Sequence, residues 1–146
     1  MASSTLAITA PGRRSFVDLT DELSKAVGAA GIADGFAIAF TSHTTCALII
    51  NEWEDGVLSD LSDRLSRLVP EHAYYAHDDL TVRTQNIVDE ERKNGPAHVV
   101  NMILGGTSHT IPISEGKPVL GEWQRLFLFE LDDPKTRTIR IHTYGV

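Results

Sequence analysis

The sequence is poor in cysteine and in long apolar runs. Its 146 residues include a single cysteine, Cys46, so the chain cannot form an internal disulfide and suits a reducing compartment. The longest apolar stretches, 46–50 and 99–104, are too short to cross a bilayer. The first residues lack the charged and apolar regions of a secretory signal. We therefore expect a cytoplasmic protein with no membrane partner.

Positive charge is also scarce. The chain has 13 lysines and arginines against 20 aspartates and glutamates, a formal charge of -7. Such a charge disfavours binding to nucleic acid, and no basic run argues the other way. Local metal signatures such as HExxH, CxxC and HxH are absent as well. The six histidines can therefore form a metal site only if the fold assembles it.

The apolar periodicity that is present predicts an α+β fold. Strands are expected at 5–9, 16–19, 35–41, 47–51, 109–113, 125–131 and 137–143. Helices are expected from about residue 20 to Gly31 and along the stripe Leu58, Leu61, Leu65 and Leu68. Residues 97–104 fit a third helix, with a strand as the alternative. Because the elements do not alternate as βαβ units, we expect mixed or antiparallel sheets with two or three helices in one domain, 1–146, whose core spans about 5–145.

Three of the histidines stand out by position. His43 interrupts two apolar strands within the polar stretch Ser42-His43-Thr44-Thr45. His77 precedes two aspartates in the long irregular segment 71–95, where a neighbouring carboxylate can fix the imidazole tautomer. His98 falls in the first turn of the predicted third helix, whose positive end disfavours imidazolium and keeps a lone pair free for a metal. A hydrogen-bonded structural or surface role is the competing interpretation for each.

Two further stretches leave alternatives open. Residues 104–108, LGGTS, are small enough to bring backbone N–H groups against a phosphate, but their composition favours a helix end followed by a turn. Residues 121–124, GEWQ, fit either a core aromatic with a buried hydrogen bond or a binding site for a flat heterocycle, in which the tryptophan stacks on the ring and the glutamine forms a hydrogen bond with it. Neither interpretation of GEWQ is favoured.

Several motifs occur in one order along the chain: SHTTCALIINEWEDGVLSDL, HDD, ERKNGPAH, LGGTSHTIPISEGKPVLGEWQRLFLFELDDP and RTIRI. Together, from about residue 5 to 145, they resemble the YjbQ-like family of secondary thiamine-phosphate synthases. The resemblance implies an α+β domain, assembly as a homotrimer, and a histidine-lined metal site near a subunit interface.

The resemblance also implies roles for individual residues. The family's histidines fall on His43, His77 and His98, which are then the predicted metal ligands. The family's asparagine and glutamate fall on Asn51 and Glu52, and its WQ pair falls on Trp123 and Gln124. The hydroxyls of Thr44, Thr45, Thr107 and Ser108 are candidate phosphate donors by their chemistry, so the predicted substrate-binding residues are these four with Asn51, Trp123 and Gln124. Glu52 and Asp78, the latter next to His77, are the predicted catalytic carboxylates.

Three functions follow from these residues. The first is an enzyme that joins an aminopyrimidine diphosphate to a thiazole phosphate and releases pyrophosphate. Three imidazoles suit zinc or another transition metal as its cofactor, although magnesium, the usual partner of pyrophosphate, is the alternative. The second is a metal-dependent hydrolase of a phosphorylated or other small metabolite, with Glu52 or Asp78 as base. The third is a non-catalytic trimeric protein that binds a metabolite or a metal.

Overall fold

Eight strands and three α-helices make up the fold. The computed structural model describes all residues, Met1–Val146. The elements in chain order are β1 (Ala2–Ile8), β2 (Phe16–Asp18), α1 (Thr20–Ala30), β3 (Gly35–Thr41), β4 (Cys46–Glu52), α2 (Asp55–Leu68), a 3-10 turn (Ala76–Asp78), α3 (Gly95–Leu104), β5 (Ser108–Ser114), β6 (Lys117–Pro118), β7 (Gln124–Glu130) and β8 (Arg137–Gly145). The predicted α+β class is confirmed, and residues 97–104 are helical. No helix is long and apolar enough to span a bilayer.

The strands form two antiparallel sheets. One has the order β1-β8-β3-β5-β6 and the other the order β2-β7-β4. Because side chains alternate between the faces of a strand, each sheet turns one apolar face inward. The inward residues of the central strands are Ala37, Ala39, Cys46, Leu48, Leu126, Leu128, Ile139 and Ile141. Helix α1 adds Leu23 and Val27 to this core.

Helices α2 and α3 cover the other face of the three-stranded sheet. This second core consists of Ala47, Leu65, Val69, Ala97, Val100, Phe129 and Leu131. The predicted leucine stripe of α2 ends one turn early, because Leu68 is 66% exposed. Val69, just past the helix, is 4% exposed and fills the apolar site instead. The expectation that Leu68 belongs to the core is therefore wrong.

Glycines end α3 and bring the following chain onto β4. Gly105 adopts the left-handed conformation, with a φ of 62°, and its N–H donates to the Asn101 carbonyl. A Cβ on Gly106 would lie 2.6 Å from the Ala47 Cβ. The interpretation of LGGTS as a helix end and turn is confirmed, since only glycine permits this approach.

A buried ion pair fixes the start of β4. The Arg137 guanidinium donates to both carboxylate oxygens of Glu130, and both residues are at most 1% exposed. Its Nη2 also donates to the carbonyl and to the hydroxyl of Thr45, each at 3.0 Å. The Ser42–Thr45 stretch is thereby held against β7 and β8.

Candidate functional site

A polar cavity of about 770 Å³ opens beside α3. Its lining residues are Thr44, Ala76, His77, Val82, Arg83, Thr84, Gln85, Asn86, Glu91, Asn94 and His98. Nine of these eleven residues come from the segment 71–95, which the sequence predicts to be irregular. The cavity thus unites the irregular segment with the start of α3 and the polar stretch before β4.

Two of the three predicted metal-ligating histidines lie side by side on the wall. The rings of His77 and His98 have centroids 4.5 Å apart and are tilted by 55°. Asp78 brings their elements together, because its Oδ1 accepts hydrogen bonds from the N–H groups of Asn94, at 3.0 Å, and Gly95, at 2.8 Å. These donors are the N-cap residue and the first residue of α3, so Asp78 caps the helix that carries His98.

The environment of His98 favours its neutral form. Burial lowers its pKa below the ordinary value, and the positive charge of Arg83 and the neighbouring imidazole of His77 lower it further. Its ring forms no hydrogen bond within the chain and faces the cavity next to His77. His98 can therefore accept a proton, a hydrogen bond or a metal through a ring nitrogen.

Arg83 organises the rest of the wall. It forms an ion pair with Glu91 and donates to the carbonyls of His77, Gln85 and Asn86 at 3.2, 3.1 and 2.6 Å. Its Nη1 also lies 3.4 Å from the His77 Nε2. Arginine can only donate, so the His77 Nε2 is the acceptor and the ring proton is on Nδ1.

His43 lies outside this cavity. Its Nε2 accepts a hydrogen bond from the Thr138 N–H at 3.0 Å, which commits the lone pair of the neutral ring. Burial lowers the His43 pKa, and the charges of Arg137 and Lys135 lower it further. No three or more His, Cys, Asp or Glu side chains of the chain are grouped so that they could hold a metal ion. The three histidines therefore do not converge within one chain.

The predicted substrate-binding residues fall into separate places. Thr44 is exposed and lines the cavity, whereas Thr45 is 4% exposed and its oxygens accept from Arg137. Thr107 and Ser108 lie beside the end of β3, where the Thr107 carbonyl accepts from the Thr41 N–H at 2.9 Å. Of these four residues, only Thr44 lines the cavity.

A second group of predicted residues lies at the far end of the three-stranded sheet. Asn51 and Glu52 end β4, Gln124 begins β7, and Glu52 pairs with Gln124. Trp123 is 66% exposed, so the interpretation of this tryptophan as a core aromatic is wrong. The six-residue step from Cys46 to Glu52 separates this end from the cavity side by about 20 Å, at about 3.3 Å per residue.

The chain matches a known protein family over nearly its whole length. A family model described as "UPF0047 protein YjbQ-like" covers residues 4–146. The chain belongs to the YjbQ-like UPF0047 family. The UPF0047 protein of Archaeoglobus fulgidus is 36% identical over 127 residues, which are 87% of this chain and 89% of the relative. The UPF0047 protein YugU of Bacillus subtilis is 31% identical and covers 97% of this chain and 98% of its own.

Solved structures share the fold. A YbjQ-like protein of unknown function from Sulfolobus solfataricus superposes with a TM-score of 0.84 at 29% identity, over 99% of this chain and 97% of the other. A hypothetical protein from Aeropyrum pernix gives the same TM-score at 28% identity, over the full length of both chains. The family resemblance inferred from the motifs is thus confirmed.

A buried carboxylate that the sequence does not predict lies behind the YjbQ-like cavity. Asp132 is fully buried, and its Oδ2 accepts from the Asn94 amide and from Lys135, both at 2.9 Å. Burial raises the Asp132 pKa, but these hydrogen bonds and one from the Asp133 N–H outweigh it and lower the pKa from 3.8 to about 2. The only sequence signal for it is a pair of aspartates after the predicted strand 125–131, a pattern that is equally typical of a turn. Arg83, Glu91 and Asn94 were also missed, because charged and amide residues in a polar segment usually indicate a solvated surface.

The histidines as arranged do not fit the metal that the resemblance implies. Zinc binds imidazole nitrogen at about 2.0–2.1 Å. On the His77 Nε2 lone pair, such an ion would occupy the space of the Arg83 Nη1, 3.4 Å from that nitrogen. The His43 lone pair is committed to the Thr138 N–H. The metal site stays a prediction, and ligation through the His77 Nε2 requires Arg83 to move.

Proposed function

We propose that this protein is an enzyme that acts on a small phosphorylated metabolite bound in the His77–His98 cavity. The observation that carries the proposal is the charge of the wall. Although the whole chain carries -7, the cavity has one carboxylate, Glu91, and Arg83 is paired with it. The remaining polar groups include the imidazoles and the hydroxyls of Thr44 and Thr84. The fixed charges of this lining balance, in contrast to the negative charge of the whole chain, and its hydroxyl and amide groups can donate hydrogen bonds to the oxygens of an anion.

The reaction we propose is the one named by the resemblance, in which an aminopyrimidine diphosphate and a thiazole phosphate are joined and pyrophosphate leaves. The hydroxyl of Thr44 and the Arg83 guanidinium would bind phosphate oxygens. His98, kept neutral by its lowered pKa, would accept a proton or a hydrogen bond at the reacting end. Asp78 would position His98 through its cap on α3 rather than act on substrate.

The homotrimer belongs to the same proposal. Asn51, Glu52, Trp123 and Gln124 lie about 20 Å from the cavity side of β4, too far to contact the same small ligand within one chain. A second copy could bring its own group of these residues to the cavity. Mixing two inactive variants, His98→Ala and Trp123→Ala, should then restore part of the activity if the site is shared between copies.

The test of the reaction is pyrophosphate release from the aminopyrimidine diphosphate, with and without the thiazole phosphate. We expect release that depends on the thiazole partner and falls at least 100-fold in His98→Ala, the scale of a lost general base. His72→Ala, an exposed histidine outside the cavity, is the matched control and should retain wild-type rates. No release by the wild type, or equal release by His98→Ala, would refute the proposal.

A second candidate is a metal-dependent hydrolase, and the adjacency of the two imidazoles favours it. Such an enzyme would need His77 and His98 to hold zinc or another transition metal, with magnesium as the alternative, to supply hydroxide near neutral pH, and the contact of Arg83 with the His77 Nε2 opposes this ligation. Phosphate release that needs no thiazole partner and is stopped by a chelator would separate it from the synthase. Tight metabolite binding without turnover would instead indicate a non-catalytic binding protein.

A further inference from the structure

Strand β3 is apolar on both of its faces, although only one of them is buried. Ala37 and Ala39 point into the core between the two sheets and are fully buried. Phe36, Ile38 and Phe40 alternate with them and therefore point out of the five-stranded sheet. A central strand with apolar residues at successive positions is typical of a sheet that is covered on both faces. The sequence of β3 thus predicts a cover that the single chain does not provide.

No helix lies on this outer face of the five-stranded sheet. Helix α1 packs in the core between the two sheets, and α2 and α3 pack in the second core, on the three-stranded sheet. Phe36 is 41% exposed, belongs to neither core, and stacks on Tyr144 with ring centroids 5.3 Å apart. Ile38 and Phe40 are partly exposed and also lie outside both cores. An apolar stripe along β3 is therefore in contact with solvent.

The outer face also lacks negative charge. Its five strands contain none of the 20 aspartates and glutamates of the chain. The nearest carboxylate is that of Asp34, just before β3, which accepts from the Ser114 hydroxyl at 3.1 Å. The outward cations Arg140 and Lys117 lie toward opposite ends, since Arg140 pairs with Phe40 and Lys117 with Ser114. Because each copy carries a charge of -7, two copies repel each other least when they meet through this face.

We propose that the outer face of the five-stranded sheet binds a second copy of this chain. An uncharged apolar centre with polar groups and cations around it has the composition of a protein interface. Four long strands about 4.8 Å apart, each about 23 Å long, present about 440 Å² before the relief of the side chains is counted. With that relief, two such faces reach the roughly 1,000 Å² that a specific interface needs.

The inference deepens one part of the proposed function and rests on it only there. It names the surface through which copies of the chain associate in the homotrimer. It does not depend on the reaction, on a metal, or on whether the cavity is shared between copies.

The experiment measures the mass of the full chain by sedimentation equilibrium over a range of concentrations, against the 16.0 kDa of one copy. Two variants place a carboxylate on the face. Phe36→Glu changes the most exposed residue of the stripe, and Thr110→Glu changes an exposed residue opposite Ile38. We expect each to raise the dissociation constant at least about 100-fold, because an unpaired charge is costly to bury in an interface. Thr110→Val, which keeps the shape without the charge, should associate at least as tightly as the wild type.

Leu68→Glu is the matched control. It removes an exposed apolar side chain and adds the same charge, but on α2 and away from the face. It should assemble as the wild type does. Because Phe36 and Thr110 are exposed in the single chain, their variants should keep the fold, and circular dichroism verifies this.

Assembly that both face variants retain, or that only Leu68→Glu abolishes, would overturn this inference and leave the homotrimer of the proposed function. A wild type that is monomeric at every concentration would overturn both. Co-sedimentation of a monomeric wild type with anionic lipid vesicles, lost in Phe36→Glu, would assign the face to a membrane and equally overturn the inference. Pyrophosphate release is measured separately, so a failure of the proposed reaction does not decide the role of this face.

Discussion

Gly95, at the start of the helix that carries His98, packs closely against Tyr75 and Asp78 on either side of His77, so its replacement by alanine tests how the site is built. A Cβ at this position would lie 2.8 Å from the Tyr75 Cβ and 3.1 Å from both the Tyr75 Cγ and the Asp78 Oδ2. Carbon atoms in contact are ordinarily about 3.5–4.0 Å apart. Helix α3 or the Ala76–Asp78 turn must therefore move by roughly 0.7–1.2 Å.

The expected loss of stability follows from two opposing effects. An extra carbon forced into a packed region destabilises by about 1–3 kcal/mol. Alanine is a better helix former than glycine by about 1 kcal/mol, but Gly95 begins α3, where only part of that gain applies. We expect Gly95→Ala to lower the free energy of unfolding by about 1–2 kcal/mol, which corresponds to roughly 2–8 °C in Tm.

Gly28→Ala is the matched control within the same chain. Gly28 is an exposed residue of α1, and no heavy atom lies within 4 Å of an added Cβ. The same substitution there should stabilise by about 0.5–1 kcal/mol. Urea and thermal unfolding are followed by circular dichroism at one protein concentration, since assembly would make the stability depend on concentration. A Gly95→Ala protein as stable as the wild type would refute the close packing of the two elements.

The remaining predictions concern the stability contributed by three carboxylates, Asp132, Asp78 and Glu130. Asp132 has a pKa of about 2 in the fold against an ordinary 3.8, so its carboxylate stabilises the fold by about 2 kcal/mol above about pH 4, and this contribution is lost as the pH falls toward 2. The difference in the free energy of unfolding between the wild type and Asp132→Asn should therefore shrink as the pH falls through this range. A difference that stays constant would contradict the lowered pKa. Asp78→Ala should destabilise by about 1–2 kcal/mol in urea, while Asp78→Asn, which keeps a capping oxygen, should stay near the wild type. Glu130→Gln leaves the Arg137 charge buried and unpaired and should cost about 3–5 kcal/mol in the same assay, whereas Glu130→Gln with Arg137→Met should recover part of that loss.

Most of the fold could be predicted because its signals are local. The alternation in 137–142 places Ile139 and Ile141 in the core and Arg140 in solvent, as observed. Gly95-Pro96 and Gly105 bracket α3 at the expected ends. The exposure of Leu68 could not be predicted, because it depends on where α2 leaves the sheet. That point is set by the packing of Val69 and not by the leucine spacing.

Less of the candidate site could be predicted from the sequence. Asp78 was predicted to be catalytic because it adjoins His77, yet its Oδ1 is occupied by N–H groups 16 and 17 residues away. Nothing in the local pattern indicates such a distant cap, and the same cap brings His77 to His98. The role of Arg83 could not be predicted either. A lone arginine in a polar segment looks solvated, whereas its side chain is only 11% exposed and holds the segment together.

The three histidines, equivalent in the sequence, have distinct chemical states in the fold. His43 and His77 each have Nε2 facing a group that can only donate, a backbone N–H in one case and a guanidinium in the other. Both neutral rings are thereby fixed with the proton on Nδ1. The bond to His43 comes from the backbone of β8, so it cannot be released without disturbing a strand. The bond to His77 comes from a guanidinium that is itself held by Glu91 and by three backbone carbonyls. His98 has no such commitment. Any chemistry at this cavity should therefore begin at His98, with His77 held by Arg83 and His43 held by β8.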